Sequence, residues 1–546
     1  MKLRWILLLT GMLTGLFLSA QNPSTYWVKL IDKKGTSYQI SHPEAFLSQR
    51  SIQRRLKQQI PIDETDLPVS HVYLDSLKKL GLEVIHTSKW LNGVTIRTAD
   101  STLIKTIAKL SFVQLVELTK PANGIKSARI KFNDQEKNSD ISPADYGNAY
   151  NQLNQLNGQY LHNKGFRGKG IQIAVLDAGF LNANTLTAFD SLRNSNRILG
   201  TRDFVDPKSD IYKQHYHGMS VLSCMGANIP GSLVGTSPDA SFYLFRSEDA
   251  ATEYLIEEDN WVAAAELADS LGVDVINSSL GYYEFDDPKM NHTYADLNGH
   301  KTRVTQGANM AFQKGILVFT SAGNEGSNAW KYIIAPTDGE NVISVAAVDK
   351  NSKRASFSSV GPAYGGAIKP NVAATGSGTA LANSSGVIGQ ASGTSFSSPV
   401  LAGMGACLLQ ANPGANVKNV KLAIEQSASI HLTPDSLLGY GIPNFQLADL
   451  ILKNTGIKTL KIGSSWVVSP NPFSDYIFIR NLNTGINEKC SISIYNLQGV
   501  CCWQSDFANN GIILLKDLVN LPDGLLIMTI RSGEKEEQFK LIKTAR

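Results

Sequence analysis

Cysteine is scarce, long apolar runs are nearly absent, and neither sign of charge predominates. Five cysteines in 546 residues exclude a fold held together by a disulfide framework. Cys224 and Cys407 fall in apolar helical stretches and read as small buried hydrophobes. Cys490, Cys501 and Cys502 cluster near the C-terminus, where one disulfide among them would suit an oxidising compartment; the sequence does not say which two pair. A formal net charge of +4 with 18% charged residues argues against a nucleic-acid-binding surface and against a disordered polyelectrolyte. Past residue 20, no uninterrupted apolar run reaches membrane-spanning length. There is no Gly-x-Ser-x-Gly elbow, which speaks against an α/β-hydrolase esterase, and no aspartate-rich loop that marks a calcium site.

What the chain does contain starts at its first residues. Lys2 and Arg4 precede an apolar run over residues 5–17 that ends in Leu18-Ser19-Ala20. A charged start, an apolar centre too short to span a bilayer comfortably and a small residue at the cut predict a signal peptide over 1–20. The mature protein is then expected to be exported and to carry no transmembrane segment. The length predicts several domains. Strands at 26–31, 82–86, 93–97 and 112–118, with helices at Gln49–Gln58, 72–80 and 101–110, give a β-α-β-β-α-β order over residues 21–120, a small α+β domain. Residues 121–145 turn polar and read as a linker. Over 146–454, apolar runs at 171–176, 242–245, 273–276, 316–320 and 342–348 alternate with helical stretches at 260–271, 303–314, 396–409 and 417–427. That rhythm predicts a doubly wound, mostly parallel α/β sheet with its chemistry beyond the carboxyl ends of the strands. Short strands at 476–480, 491–495, Ile512–Leu515, 525–530 and 538–542 then predict a small all-β sandwich over 462–546.

Four short stretches carry chemistry. In Gly393-Thr394-Ser395-Phe396-Ser397-Ser398-Pro399 a serine opens a helix, with the proline expected in the first turn, where no amide hydrogen is needed. Ala402, Gly403, Gly405 and Ala406 let that helix pack closely. Alone, Ser395 reads more readily as a helix cap than as a nucleophile. A nucleophile needs a base, and the base an orienting acid. His217, followed by Gly218 and an apolar run, suits the start of a helix packed on a sheet; His215 is its local rival. Asp177 ends the apolar run 171–176, where an unpaired carboxylate is costly to bury. Asn324, in Ser321-Ala322-Gly323-Asn324-Glu325-Gly326, could aim its amide at an oxyanion. Gly235-Thr236-Ser237-Pro238 shares three letters with the serine motif, but a strand follows it instead of a helix, so it is rejected.

Together, Asp177-Ala178-Gly179, His217-Gly218, Ala322-Gly323-Asn324-Glu325-Gly326 and Gly393-Thr394-Ser395 through Pro399 resemble, in chain order, the motifs of the subtilisin family (subtilases) of serine proteases. The resemblance spans roughly residues 168–411. It implies a serine endopeptidase: Ser395 as nucleophile, His217 as general base and acid, Asp177 as its orienter, Asn324 as oxyanion donor, an acyl-enzyme intermediate, and no cofactor for the chemistry. Family members often bind structural calcium, at a site this sequence leaves unnamed. Five positions depart from the family pattern: Ala178 stands where a hydroxyl residue is usual, Met219-Ser220 where a second histidine is common, and Phe396 and Ser397 replace Met and Ala. A catalytically inactive, protease-like scaffold displayed for binding is the alternative of a different class.

The resemblance extends to substrate and regulation. Ser279, Leu280 and Gly281 match the segment that pairs with substrate backbone and walls the P1 pocket, with Ala322, Gly323 and Glu325 opposite. Glu253, Glu257 and Glu258 near further subsites would favour basic residues, although solvated surface charge is the plainer reading. The first domain resembles the family's inhibitory propeptide, with processing expected between residues 119 and 145; an independent binding domain is the alternative. Ser469-Pro470-Asn471-Pro472, with the β-strands after it, resembles a C-terminal sorting domain of the type IX secretion system, whose machinery would be a partner. A carbohydrate-binding or adhesive module is the other reading. Export through the periplasm to the medium or the cell surface follows from the first of these.

Overall fold

Strands that lie between two layers of helices bury both faces, and their side chains read as apolar runs without alternation. A computed structural model describes residues 22–124, 131–132, 145–454, 466–469, 471–481, 489–508 and 512–544. The expected signal peptide, most of the expected linker and the start of the last domain lie outside these residues. The N-terminal part comprises β1 (Ser24–Leu30), α1 (Gln49–Gln58), α2 (His71–Lys79), β2 (Glu83–Ser88), β3 (Gly93–Thr98), α3 (Thr102–Ile107) and β4 (Val113–Lys120). Its sheet has the order β2-β3-β1-β4 with every pair antiparallel.

The large middle part contains β5 (Gln172–Asp177), β6 (Ile198–Asp203), α4 (His217–Gly226), β7 (Ser241–Arg246), α5 (Ile256–Leu271), β8 (Val275–Ser278), α6 (Arg303–Gln313), β9 (Leu317–Ser321), β10 (Ile343–Val348), β11 (Val372–Thr375) and α7 (Thr394–Ala411). Seven strands pair in parallel in the order β11-β10-β9-β8-β5-β7-β6. Helices α4 and α7 pack together on the sheet, as do α5 and α6. The strand expected at 273–276 lies two residues later. Gly272 ends α5 in the left-handed region (φ 87°), and Val273 N–H donates back to Ala268, so Val273 belongs to the helix cap. Strand β6 escaped the sequence reading because it is a half-exposed edge with no continuous apolar run.

Close helix packing depends on the small residues of α7. A Cβ on Gly403 would stand 2.0 Å from Thr236 Oγ1, and one on Gly405 2.7 Å from the Phe319 ring. The rejected motif around Thr236 and Ser237 is thus a buried turn under α7. Beyond residue 465, sheets β12-β13-β16 (Trp466–Ser469, Ile477–Asn481, Ile512–Leu515) and β15-β14-β17-β18 (Cys501–Ala508, Lys489–Tyr495, Gly524–Ser532, Lys535–Lys543) enclose one apolar core. All five cysteines are free thiols, so the disulfide considered for Cys490, Cys501 and Cys502 does not form: Cys490 points into that core while Cys501 is exposed. Among the described residues no helix is long and apolar enough to cross a membrane.

The N-terminal sheet lies on α5, and buried charge joins the two. Asp269, near the C-terminus of α5, receives Arg54, Arg55 (2.7 Å) and Lys89 (3.0 Å), cations also favoured by the negative end of the helix dipole. Burial opposes the Asp269 charge, yet the three cations hold its carboxyl well below the usual range. Glu266 accepts from the Lys89 and Trp90 amides (2.8 and 3.0 Å), and Thr95 donates to Asp259 (3.1 Å). His86 of β2 is buried here, its Nε2–H donating to Phe204 O and Asn260 Oδ1, each at 2.9 Å. Burial lowers its pKa from 6.5 to about 4. The docked form therefore needs a neutral imidazole, and its contribution is complete above the undocked value of 6.5. It is lost as the pH falls from there toward about 4. Relative to His86→Gln, which keeps the donor without the titration, the wild-type full chain should lose about 3 kcal/mol of unfolding free energy between pH 7 and pH 4. Denaturant titrations of both proteins at the two pH values provide the comparison; a constant difference would refute the assignment.

Candidate active site

Strand order decides where the four motifs meet. Between β5 and β8 the chain reverses its direction of sheet growth, the place where parallel α/β sheets leave a crevice at their carboxyl ends. Leu176 pairs with Ser278, and Ser278 with Thr320. Asp177, Ser279 and the 321–324 turn therefore leave three adjacent strands side by side.

Asp177 Oδ1 meets His217 Nδ1 at 2.7 Å, and both side chains are completely buried. The backbone N–H of Ala178 donates to the same oxygen (2.8 Å), while Asp177 Oδ2 is buried without a hydrogen-bond partner among the described residues. Ala178 offers no hydroxyl to fill that place. The rival His215 does not take the carboxylate; its Nδ1 accepts from His217 N at 3.3 Å. Its imidazole is pushed down to about 4, by burial first and then by His217. His217 opens α4 directly against Asp177 because Gly218 has no side chain: a Cβ there would stand 2.5 Å from Gly179 O and 2.7 Å from Asp177 Cβ.

Ser395 is the second residue of α7, where the first amides of a helix have no partner within it. Pro399 is not in the first turn, as the sequence suggested, but inside the helix. Lacking an N–H, it leaves the Ser395 carbonyl without its helical donor, and Ser279 Oγ supplies one at 2.8 Å. Ser398 Oγ donates to Asn277 (2.8 Å), and Asn277 Nδ2 to Ser279 Oγ (3.2 Å). The proline thus ties the helix start to the end of β8. The ring of Phe396, next to Ser395, lies 5.8 Å from the His217 ring, which brings the serine's turn to the Asp–His pair.

Asn324 follows β9 through Gly323, whose φ of 106° suits glycine and whose Cβ would strike Ser359 Oγ at 2.7 Å. Its Oδ1 accepts from both Thr394 N and Thr394 Oγ1 at 2.9 Å. With the oxygen so occupied, the exposed Asn324 side chain keeps its amide hydrogens for the crevice.

A cavity of about 670 Å³ runs past these groups, lined in part by Ser279, Leu280, Gly281, Gly323, Asn324, Glu325 and Ser395. Ala322 does not reach it, being fully buried with its N–H donating to Val345 (3.0 Å). Glu325 is held by Tyr283 OH at 2.9 Å. Glu253, Glu257 and Glu258 are buried and not solvated surface charges. Each has a partner: Glu258 has the His292 imidazole, and Glu253 and Glu257 share the Lys131 ammonium (3.0 and 2.9 Å). Burial opposes the Glu258 charge, but His292 and Arg303 outweigh it and keep its carboxyl low. Glu248, Glu253 and Glu257 have donor atoms within 4.8 Å of one another, the single such grouping among the described residues that could hold a metal ion. The residue after Lys131 covers the imidazole, with the Phe132 ring 4.2 Å from that of His217. Sequence reasoning missed Lys131 and Phe132 because they sit in a stretch that reads as linker.

Comparison with known proteins assigns three parts of the chain to families. The subtilase family matches residues 168–441, the peptidase S8 propeptide domain of Bacteroidota residues 25–138, and the secretion-system C-terminal sorting domain residues 467–544. Subtilisin amylosacchariticus of Bacillus subtilis subsp. amylosacchariticus is 29% identical over 300 residues, 54% of this chain and 70% of its own length. Subtilisin DY of Bacillus licheniformis is 29% identical over 291 residues, covering 52% and 93%. Gly218→Ala should slow reaction of Ser395 with a fluorophosphonate by about 10²-fold, since displacing Asp177 misplaces the imidazole. Alanine is the better helix former, so an unchanged circular dichroism spectrum would assign the loss to the clash. An unaltered labelling rate would show that the glycine is dispensable.

Proposed function

The chain belongs to the subtilase family, a serine-type endopeptidase made as a secreted precursor, and from that premise we propose that Asp177, His217 and Ser395 hydrolyse peptide bonds through an acyl-enzyme. The buried 2.7 Å contact between Asp177 and His217 carries the proposal. The carboxylate commits Nδ1 and stabilises the imidazolium, so the serine proton goes to Nε2. Ser395 Oγ adds to the substrate carbonyl carbon. The resulting oxyanion is received by Asn324 Nδ2 and the Ser395 N–H at the positive end of α7. As the C–N bond breaks, Nε2–H protonates the leaving amine. A water, deprotonated by the same nitrogen, then releases the acyl group and restores the serine.

The propeptide match and the type IX sorting domain place the protein outside the cell or on its surface. In the precursor, the N-terminal sheet on α5 and the Lys131–Phe132 segment at the crevice support a role for the propeptide as intramolecular inhibitor. Ser395→Ala should abolish peptide cleavage and fluorophosphonate labelling. Asn324→Ala should lower kcat by 10²–10³-fold, the size familiar for an asparagine donor in subtilisin, with KM little changed. Cleavage that survives Ser395→Ala would remove the assignment.

A further inference from the structure

Lys131 enters a site whose walls belong wholly to the peptidase part. Its ammonium is bonded to Glu248, to Glu253 Oε2 (3.0 Å) and to Glu257 Oε1 and Oε2 (2.9 and 3.0 Å). It also donates to the carbonyls of Asp249 (3.0 Å) and Thr252 (2.7 Å). The carboxylates are built in: Tyr282 OH donates to Glu248 Oε2 (2.9 Å), and Asp249 N–H to Glu257 Oε1 (2.9 Å). All three glutamates are at least nine-tenths buried. The next residue, Phe132, covers His217, and both residues line the cavity that holds Ser279, Gly281, Asn324 and Ser395. Lys131 therefore lies along the crevice, one residue before the group over the imidazole.

We propose that this three-carboxylate pocket is a substrate subsite for a lysine side chain, and that Lys131 occupies it in the precursor as a substrate residue would in the processed enzyme. The inference rests on the catalytic reading above, because it takes the crevice past Ser395 to be the substrate's path. Three carboxylates buried this close repel one another, and burial with the neighbouring Glu248 pushes the Glu257 carboxyl well above its usual range. A pocket that costs this much to leave empty is suited to an incoming ammonium. A chain with an uncharged side chain at that position leaves the carboxylates unpaired, which is the condition for strong discrimination.

The test uses the full chain carrying Ser395→Ala and Lys131→Ala, titrated calorimetrically with the capped peptide Ile-Lys-Phe-Asn and with its norleucine analogue. The lysine peptide should bind at least ~10²-fold more tightly than the analogue, and weakly or not at all when Lys131 is retained. Equal affinities, or displacement of the lysine peptide by calcium, would overturn the subsite. Should the double variant fail to fold, the processed enzyme gives the same comparison as kcat/KM for lysine and norleucine substrates. Equal values there, with Ser395 labelled normally by a fluorophosphonate, would refute the subsite and leave the catalytic reading standing. Lysine-selective binding without any labelling of Ser395 would do the reverse.

Discussion

A carboxylate and an imidazole, both wholly withdrawn from water, are tolerable only because they face each other. Asp177 alone at the end of an apolar strand would be an uncompensated charge, and His217 alone an imidazole with no fixed tautomer. Their contact fixes the register between β5 and α4. The absence of a side chain at Gly218 lets the helix come that close. The serine's helix is then held to the neighbouring strand by the carbonyl that Pro399 leaves without a helical donor and Ser279 satisfies.

The same physics, buried charge made acceptable by a partner, recurs where the N-terminal part meets the rest. Asp269 with Arg54, Arg55 and Lys89 joins the parts at one end of α5, and the Lys131 ammonium joins them near its start. Both contacts involve carboxylates of the peptidase part and cations of the segment before it. A propeptide held in this way docks specifically and is sensitive to the protonation state of its contacts, of which the neutral His86 is one.

Much of this could be read from the residues. Five of the seven parallel strands were legible because burial on both faces leaves continuous apolar runs, and the antiparallel domains because of their turns and alternation; β11, buried throughout but only four residues long, was not read. Asp177, His217, Ser395 and Asn324, the residues proposed for the chemistry, stand in motifs in a particular chain order, although each alone has an ordinary explanation. Edge strand β6 gave little signal, since half its side chains meet water. The acidic residues of α5 were misjudged: a glutamate's letter does not say whether a lysine more than a hundred residues earlier will reach it. Pro399 was placed one turn too early, because the sequence does not number a helix from its true first residue.

Local pattern determined the kinds of element, their order and the residue types capable of nucleophilic chemistry, because periodicity and turn chemistry act over a few neighbours. Which histidine meets the carboxylate, which hydroxyl takes the carbonyl left by a proline, and which lysine fills a ring of glutamates were decided only by the fold. Those pairings join residues 40, 116 and 126 positions apart. The energy of a buried charge or an unpaired carbonyl depends on what the tertiary structure sets within about 3 Å of it.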